Sequence, residues 1–213
     1  MKNKKVLIIL CLTLLISVIG CSEVVKEYYD SGKLKRKTTF KNDKQEGPSK
    51  IYYESGALKS EFNYKNGKLD GPYKDYYESG TLRGEFNYKN DKQEGRDKTY
   101  YESGALHIEG TSKNGNPEGP HKVYYENGEL KEEVTLKNGQ KEGPAKIYNE
   151  RGVLLSQFNY KNGKLDGPEI TYAKNGGISS IDTYKNGQKI NRRSYNKIGE
   201  LEFDQDYPYK EEN

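Results

Sequence analysis

The sequence predicts an all-β chain: an elongated, single-layer, twisted meander of antiparallel hairpins with about two strands per 24-residue repeat. Three observations predict it. Gly47, Gly71, Gly95, Gly119, Gly143 and Gly167 recur every 24 residues without an insertion. Tyr52, Tyr76, Tyr100, Tyr124, Tyr148 and Tyr172 keep the same period, as do Leu58, Leu82, Leu106, Leu130 and Leu154. Every unit carries two turn signals, one of the Glu54-Ser55-Gly56 kind and one of the Asn66-Gly67 kind. Self-similarity at such a period marks a stack of supersecondary units, each of which buries its apolar side only against its neighbours.

Each element follows from local chemistry. Asn-Gly tolerates positive φ at both central positions of a tight hairpin. Where the glycine is lost, Asp43 and Asp91 replace it, a residue that accepts that backbone better than most. Between the turns lie short segments rich in Tyr, Phe, Ile and Thr, which suit a pleated surface. A glycine about every 12 residues, often followed by proline, excludes helices.

The hairpin register has two candidate solutions. A three-residue Glu-Ser-Gly loop with glycine in the left-handed region sets Tyr52 opposite Leu58 and places Phe62 and Tyr64 on the same face. A four-residue loop instead pairs Lys50 with Glu61 and Lys74 with Glu85. Surface ion pairs contribute only ~0.2–1 kcal/mol each, and an apolar cluster outweighs them. The bulged three-residue loop is therefore expected.

The first twenty residues differ from the rest. Lys2, Lys4 and Lys5 precede an apolar run from Val6 to Ile19, too short for the ~20 residues of a membrane-spanning helix. The pattern fits a secretory signal over residues 1–20. Residues 21–27 are then expected as a modified N-terminus and short tether, 28–190 as the repeats, and 191–213 as a degraded repeat with a polar tail. Removing the leader takes three lysines and no acid from a net charge of +4. A near-neutral chain with interspersed Lys and Glu lacks the cationic surplus that phosphate recognition needs, which excludes nucleic acid as a partner. Cys11 leaves with the leader, so the remaining chain has no free thiol for catalysis or metal binding once Cys21 is modified. Leu, Ile, Val and Phe make up only roughly 15% of residues 21–213, a level typical of disorder. Against this stand 20 tyrosines and strict periodicity.

Few residues invite chemistry. His107 and His121 stand where other repeats carry Lys or Ser and are expected to face solvent. No catalytic, cofactor-binding or metal-ligating residue emerges, and near-identical units argue against one special catalytic geometry. The Tyr pairs are the candidate binding face: Tyr52 and Tyr53, Tyr76 and Tyr77, Tyr100 and Tyr101, Tyr124 and Tyr125. Adjacent strand residues point to opposite faces, so each pair sets one phenol on each side. The bland role is sheet area; the functional one is a ladder of exposed rings.

Two resemblances extend this. Val18-Ile19-Gly20-Cys21-Ser22 resembles the bacterial lipobox, which implies diacylglycerol on the Cys21 thiol, cleavage before it and lipid anchoring. The chain would then sit on the cell membrane or outer membrane, facing periplasm or exterior. The unit Gly47-Pro48-Ser49-Lys50-Ile51-Tyr52-Tyr53-Glu54-Ser55-Gly56-Ala57-Leu58, followed by Tyr64-Lys65-Asn66-Gly67-Lys68, resembles the variant MORN repeat. It looks most like the bacterial YwqK-type family, labelled as toxin–antitoxin antitoxins. The resemblance implies a non-enzymatic hairpin-repeat sheet that binds a protein partner. With an export signal, that partner becomes an extracytoplasmic toxin. An envelope-structural, glycan-binding or lipid-headgroup-binding sheet using the tyrosine ladder stays open as the alternative. The same repeat precedes the catalytic domain of plant phosphatidylinositol-phosphate kinases, whose phosphate loop and catalytic loop have no counterpart here.

Overall fold

A computed structural model describes residues 22–210. The leader, Cys21 and residues 211–213 lie outside the described residues. The chain forms two units. The first, ending at Gly104, holds β1 (Ser22–Tyr28), β2 (Leu34–Lys41), β3 (Lys44–Tyr52), β4 (Leu58–Lys65), β5 (Lys68–Tyr76), β6 (Leu82–Lys89), β7 (Lys92–Gln93) and β8 (Gly95–Tyr100). The second begins at Ala105. It holds β9 (Leu106–Lys113), β10 (Asn116–Pro117), β11 (Gly119–Tyr124), β12 (Leu130–Lys137), β13 (Gln140–Tyr148), β14 (Leu154–Lys161), β15 (Lys164–Leu165), β16 (Gly167–Tyr172), β17 (Ile178–Lys185), β18 (Gln188–Tyr195) and β19 (Leu201–Asp206). In each unit consecutive strands pair antiparallel, as the turn chemistry requires. The short β7, β10 and β15 are the leading pieces of strands interrupted just before Gly95, Gly119 and Gly167. Counted as one bulged strand each, they leave two strands per repeat.

The Asn-Gly turns are of the expected two-residue type. Asn66 and Gly67 sit at φ 53° and 80°, and where aspartate replaces glycine, Asp43 and Asp91 sit at 59° and 66°. Their Cβ atoms accept a conformation that most side chains resist, because Asn and Asp can hydrogen-bond locally. The other loop is also the expected one: Gly56 lies at φ 99°, its N–H donates to the Tyr53 carbonyl at 2.9 Å, and the Tyr53 N–H donates to the Ala57 carbonyl at 2.9 Å.

The register resolves the two sequence solutions by satisfying both. Tyr52 pairs with Leu58, as the three-residue loop demands. The ladder then shifts by one residue, so that Ile51 pairs with Ser60 and Lys50 with Glu61. Lys59 is the extra residue of a β-bulge. The same shift recurs at Asp75/Tyr76, Val123/Tyr124, Ile147/Tyr148 and Thr171/Tyr172. One expectation is thereby corrected. Paired residues share a face, so Leu58 lies with Tyr52, and beyond the bulge Ser60, Phe62 and Tyr64 lie on the opposite face. The bulge buries Ser60 and Phe62 together without giving up the Lys50–Glu61 pairing.

The buried row is thin. In the first unit Phe62, 6% exposed, stacks on Tyr73 with centroids 5.0 Å apart and planes 7° off parallel. Tyr64 meets Phe62 edge-on at 5.4 Å and Tyr88 leans on Tyr73 at 5.6 Å. In the second unit Val134, Ala145 and Phe158 form the core, with Leu136, Ile147, Tyr160 and Leu165 packed against them. Large and small residues alternate along the row. Ser49 accompanies Phe62, Ala145 lies between Val134 and Phe158, and His121 lies over Gly110. A Cβ on Gly110 would fall 2.3 Å from His121 Nε2. Neither histidine is solvent-facing as expected. His107 and His121 are both half-buried, and His121 fills the volume that glycine leaves where other repeats carry Phe.

The N-terminal end also differs from expectation. Ser22–Glu27, read from sequence as a tether, belongs to β1, whose residues pair with Arg36–Lys41. Its alternation is too polar to register as a strand without its partner. At the other end β18 and β19 keep the hairpin, with Tyr195 opposite Leu201 and Arg193 opposite Asp204.

Gly71 carries φ +106° inside a strand, where the ladder shifts between Phe62 and Tyr64. An L-residue there is strained whatever space surrounds it. Gly71→Ala is expected to destabilise the protein by about 1–3 kcal/mol in denaturant unfolding. The loop variant Ser55→Ala should stay within about 0.5 kcal/mol. Equal effects from the two would remove the bulge from this account.

Candidate interaction surface

The face bearing Tyr52 and Leu58 carries a charge row across the strands. In the first unit, register sets Lys50, Glu61, Lys74, Glu85 and Lys98 side by side. In the second it sets Glu109, Lys122, Glu133 and Lys146. Lys50 Nζ lies 3.3 Å from Glu61, and Lys146 Nζ 3.3 Å from Glu133. These side chains stay 34–45% exposed, so each pair contributes at most about 1 kcal/mol. Their larger consequence is a surface of alternating sign.

The tyrosines complete the row. Tyr76 donates its phenol hydrogen to Glu61 at 2.8 Å, Tyr100 to Glu85 at 2.7 Å, Tyr124 to Glu109 at 2.6 Å and Tyr148 to Glu133 at 3.1 Å. Each bond joins one hairpin to the next. Burial, and then the hydrogen-bonded carboxylate, push the phenols of Tyr76, Tyr100 and Tyr124 up to about 12. The Tyr76 hydroxyl in turn holds Glu61 below the usual carboxylate range.

The second tyrosine of each pair points to the opposite face, as adjacent strand residues must, and is also engaged. Tyr29 donates to the Tyr52 carbonyl at 2.6 Å, Tyr53 to that of Tyr76 at 2.8 Å, Tyr77 to that of Tyr100 at 2.8 Å and Tyr125 to that of Tyr148 at 2.9 Å. The tyrosines of the expected ladder, Tyr52 to Tyr125, are all half-buried rather than freely projecting. Lys59 and Lys131 lie over the rings of Tyr53 and Tyr125, each at 5.3 Å, a favourable cation–π placement.

A further set of residues escaped the sequence reading. Glu46, Glu118, Glu142 and Asp166 each stand immediately before a repeated glycine. Their carboxylates accept the N–H of Asn66, Asn138, Asn162 and Asn186, twenty residues on, at 2.6, 2.8, 2.8 and 3.1 Å. Each acid thus holds the following tight turn. The signal was available: an acid precedes every one of the six periodic glycines.

Three depressions occupy equivalent places on the charged face. One of 290 Å³ lies among Pro48, Lys50, Glu61, Asn63, Pro72 and Lys74. The next, of 270 Å³, is its copy one repeat on, with Pro72, Lys74, Glu85, Asn87 and Lys98. The third, of 240 Å³, lies in the second unit around Pro120, Lys122, Glu133, Pro144 and Lys146. The prolines lack an N–H and present only a compact ring, and the long Lys and Glu chains form the walls. Among the described residues no three of His, Cys, Asp and Glu come together as a metal would require, and no helix is long and apolar enough to cross a membrane.

A hairpin-repeat sheet with one polar surface copied along it defines a repeat-built interaction module of the binding or structural class. The chain belongs to the MORN repeat variant family, whose model matches residues 24–42, 45–66, 69–90, 93–114, 117–138, 141–162 and 165–186. No curated protein matches. Among solved structures, a crystal structure of TcdB2-TccC3-Cdc42 is similar at 11% identity and TM-score 0.25, covering 82% of this chain and 12% of that one. A crystal structure of TcdB2-TccC3 is similar at 10% identity and TM-score 0.21, covering 82% of this chain and 14% of that one. At such scores the likeness bears on neither fold nor function.

The tyrosine–glutamate bonds set the pH response. A phenol raised in the fold stabilises below its ordinary value near 10, and that stability is lost as pH rises through about 12. A carboxylate lowered in the fold stabilises above its ordinary value of 4.5, and that stability is lost as pH falls through the folded value. Phenolate absorbance should therefore show a late-titrating class near pH 12, reduced by Tyr76→Phe. The same variant should lose about 1 kcal/mol at neutral pH. Titration of every tyrosine near 10 in the folded protein would contradict these bonds.

Proposed function

We propose that this is a lipid-anchored bacterial envelope protein whose repeat sheet binds a protein partner through the charged face. The observation that carries the proposal is the recurrence of one depression, walled by Lys, Glu and Lys, at successive 24-residue steps. An extended polypeptide that alternates acidic and basic side chains could meet several copies in register, each contact adding to the last. The prolines in each lining supply apolar area of the kind a protein interface uses. Because the tyrosine hydroxyls are already spent within the sheet, they offer little to sugar hydroxyls, which favours a protein ligand over a glycan.

The anchor rests on the sequence Val18-Ile19-Gly20-Cys21, where acylation of the cysteine would hold the chain at a membrane surface. Resemblance to antitoxin-labelled proteins makes an exported toxin the first partner to test, with this chain as an immunity-type lipoprotein. Metabolic labelling with a fatty acid should mark the wild-type chain and leave Cys21→Ala unlabelled; unchanged labelling removes the anchor. Affinity capture from envelope extracts should retain one protein in fixed ratio, and Glu61→Lys with Glu85→Lys should weaken that capture at least tenfold. Retention on purified peptidoglycan instead, unaffected by these charge changes, would overturn the protein-binding reading.

A further inference from the structure

Among the described residues β1 and β19 each have an edge to which no strand pairs, and along one charged row each lacks the sign the other carries. Within the repeats, a glutamate on one hairpin receives two groups from the next strand: a phenol, as from Tyr76 to Glu61, and a register-paired lysine, as Lys74 beside Glu61. β1 has the same residues at the same places. Lys26 and Tyr28 occupy the positions of Lys74 and Tyr76, two repeats earlier. No hairpin precedes β1 among the described residues, and neither Lys26 nor Tyr28 has a side-chain partner there. Lys26 is instead paired in register with Lys37, which is followed by Lys50. Like charges directly opposite are unfavourable, so the row through Lys26 lacks an acid, while Glu23 and Glu27 stand at other positions of β1.

β19 supplies one. Asp204 stands at the glutamate position, paired with Arg193 as Glu61 is with Lys50. Arg193 Nε lies 3.3 Å from it and Asn191 Nδ2 2.8 Å. The Lys/Glu alternation lapses before this point. The equivalent positions are Gln157, Ile170 and Ile181, so charge returns only at the last hairpin. The last strand also carries Glu202 and Asp206 and no base. No strand pairs with its outer edge among the described residues. The tail beyond it continues the line of β19, with the Tyr207 N–H donating to the Ile190 carbonyl at 2.9 Å and the Lys210 N–H to Gln188 at 2.9 Å. Both edge strands carry exposed apolar side chains: Val24 and Tyr28 at 41% and 39%, Leu201 and Phe203 at 53% and 43%. Edges left open in this way are templates for pairing.

We propose that β1 of one copy of this chain adds to β19 of a second copy, continuing the repeat register between molecules. The interior pairing of β4 with β5 fixes that register: Asp204 opposite Lys26, and Phe203 opposite Glu27, with the Tyr28 hydroxyl donating to Asp204. The contact is head-to-tail. A two-fold pairing centred on this row would set Lys26 against Lys26 at the β1 edge, or Asp204 against Asp204 at the β19 edge, so such a dimer is disfavoured. A heterologous contact of this kind is not saturated by two copies as a two-fold contact is, so association continues beyond the pair, to a ring where the rotation closes and to a filament where it does not. The inference rests on the edges and is independent of what binds the charged face.

Sedimentation velocity of the full chain, with neutral detergent in excess, tests it. The wild-type protein is expected to form a concentration-dependent series of oligomers that recedes at high salt. Lys26→Glu and Asp204→Lys should each weaken association at least tenfold. Their equimolar mixture should recover it, because each variant then offers the charge the other's edge needs. A wild-type monomer at every concentration, single variants that associate like wild type, or a mixture that stays dissociated would each overturn the proposal. Recovery in the mixture also shows that both variants are folded.

Discussion

Everything in this molecule depends on the sideways bond between one hairpin and the next. A sheet with no second layer described against it cannot bury much of itself. Phe62, Val134, Ala145 and Phe158 are the only buried hydrophobic residues among those described. At roughly 1.5–3 kcal/mol for a fully buried large side chain, such a set does not offset the chain entropy of about 190 ordered residues. The remainder must come from contacts within the plane of the sheet. Tyrosine suits that task better than Ile or Val. Its ring covers a neighbour's backbone and its hydroxyl reaches the next hairpin. Two hydroxyls per repeat, one on each face, tie each unit to its successor through Glu61 and the Tyr76 carbonyl and their copies.

That constraint explains why the buried polar groups cluster where they do. Ser49 is 1% exposed and shares a 2.8 Å hydrogen bond with Thr38. Asp75, 7% exposed, accepts from Ser60 at 2.7 Å and from Arg83 Nε at 2.9 Å. In a thick core such groups would be liabilities unless fully satisfied. Here they sit beside aromatic rings on a face a few atoms deep, where a hydroxyl pair fills small volumes next to Phe62 that a larger apolar side chain would overfill. The half-buried His121 over Gly110 solves the same volume problem in reverse.

The repeat period, the two turn types and the all-β class were legible because they depend on glycine and asparagine, whose backbone preferences act locally. The bulge at Lys59 was not. Each of two registers looked consistent alone, and only the three-dimensional ladder shows that one extra residue lets Tyr52 meet Leu58 while Lys50 meets Glu61. The face of Phe62 was misread for the same reason: a period of two is broken by a single inserted residue. β1 was illegible because Ser22, Glu23, Lys26 and Glu27 carry no apolar alternation, and pairing with β2 alone makes them a strand. The tyrosine pairs were correctly set on opposite faces, yet their hydroxyl partners lie 15 and 23 residues away, beyond any local rule. The acids before the periodic glycines were visible in the sequence, and their twenty-residue reach to the next turn required the stacked geometry.

A surface built by copying has a consequence for specificity. Identical depressions give a partner several equivalent registers, and multiplicity raises affinity without choosing among them. Choice has to come from the copies that differ. In the second unit the charged row gives way to Gln157, Ile170 and Ile181, which end the alternating run and so limit how far an alternating ligand can slide. In the first unit the second depression has Arg96 in its lining where the first has Pro72. An added base of this kind favours an acidic side chain there over the neighbouring site. The conserved part of each unit therefore builds the sheet, and the departures from it are where recognition of one partner over another would be written.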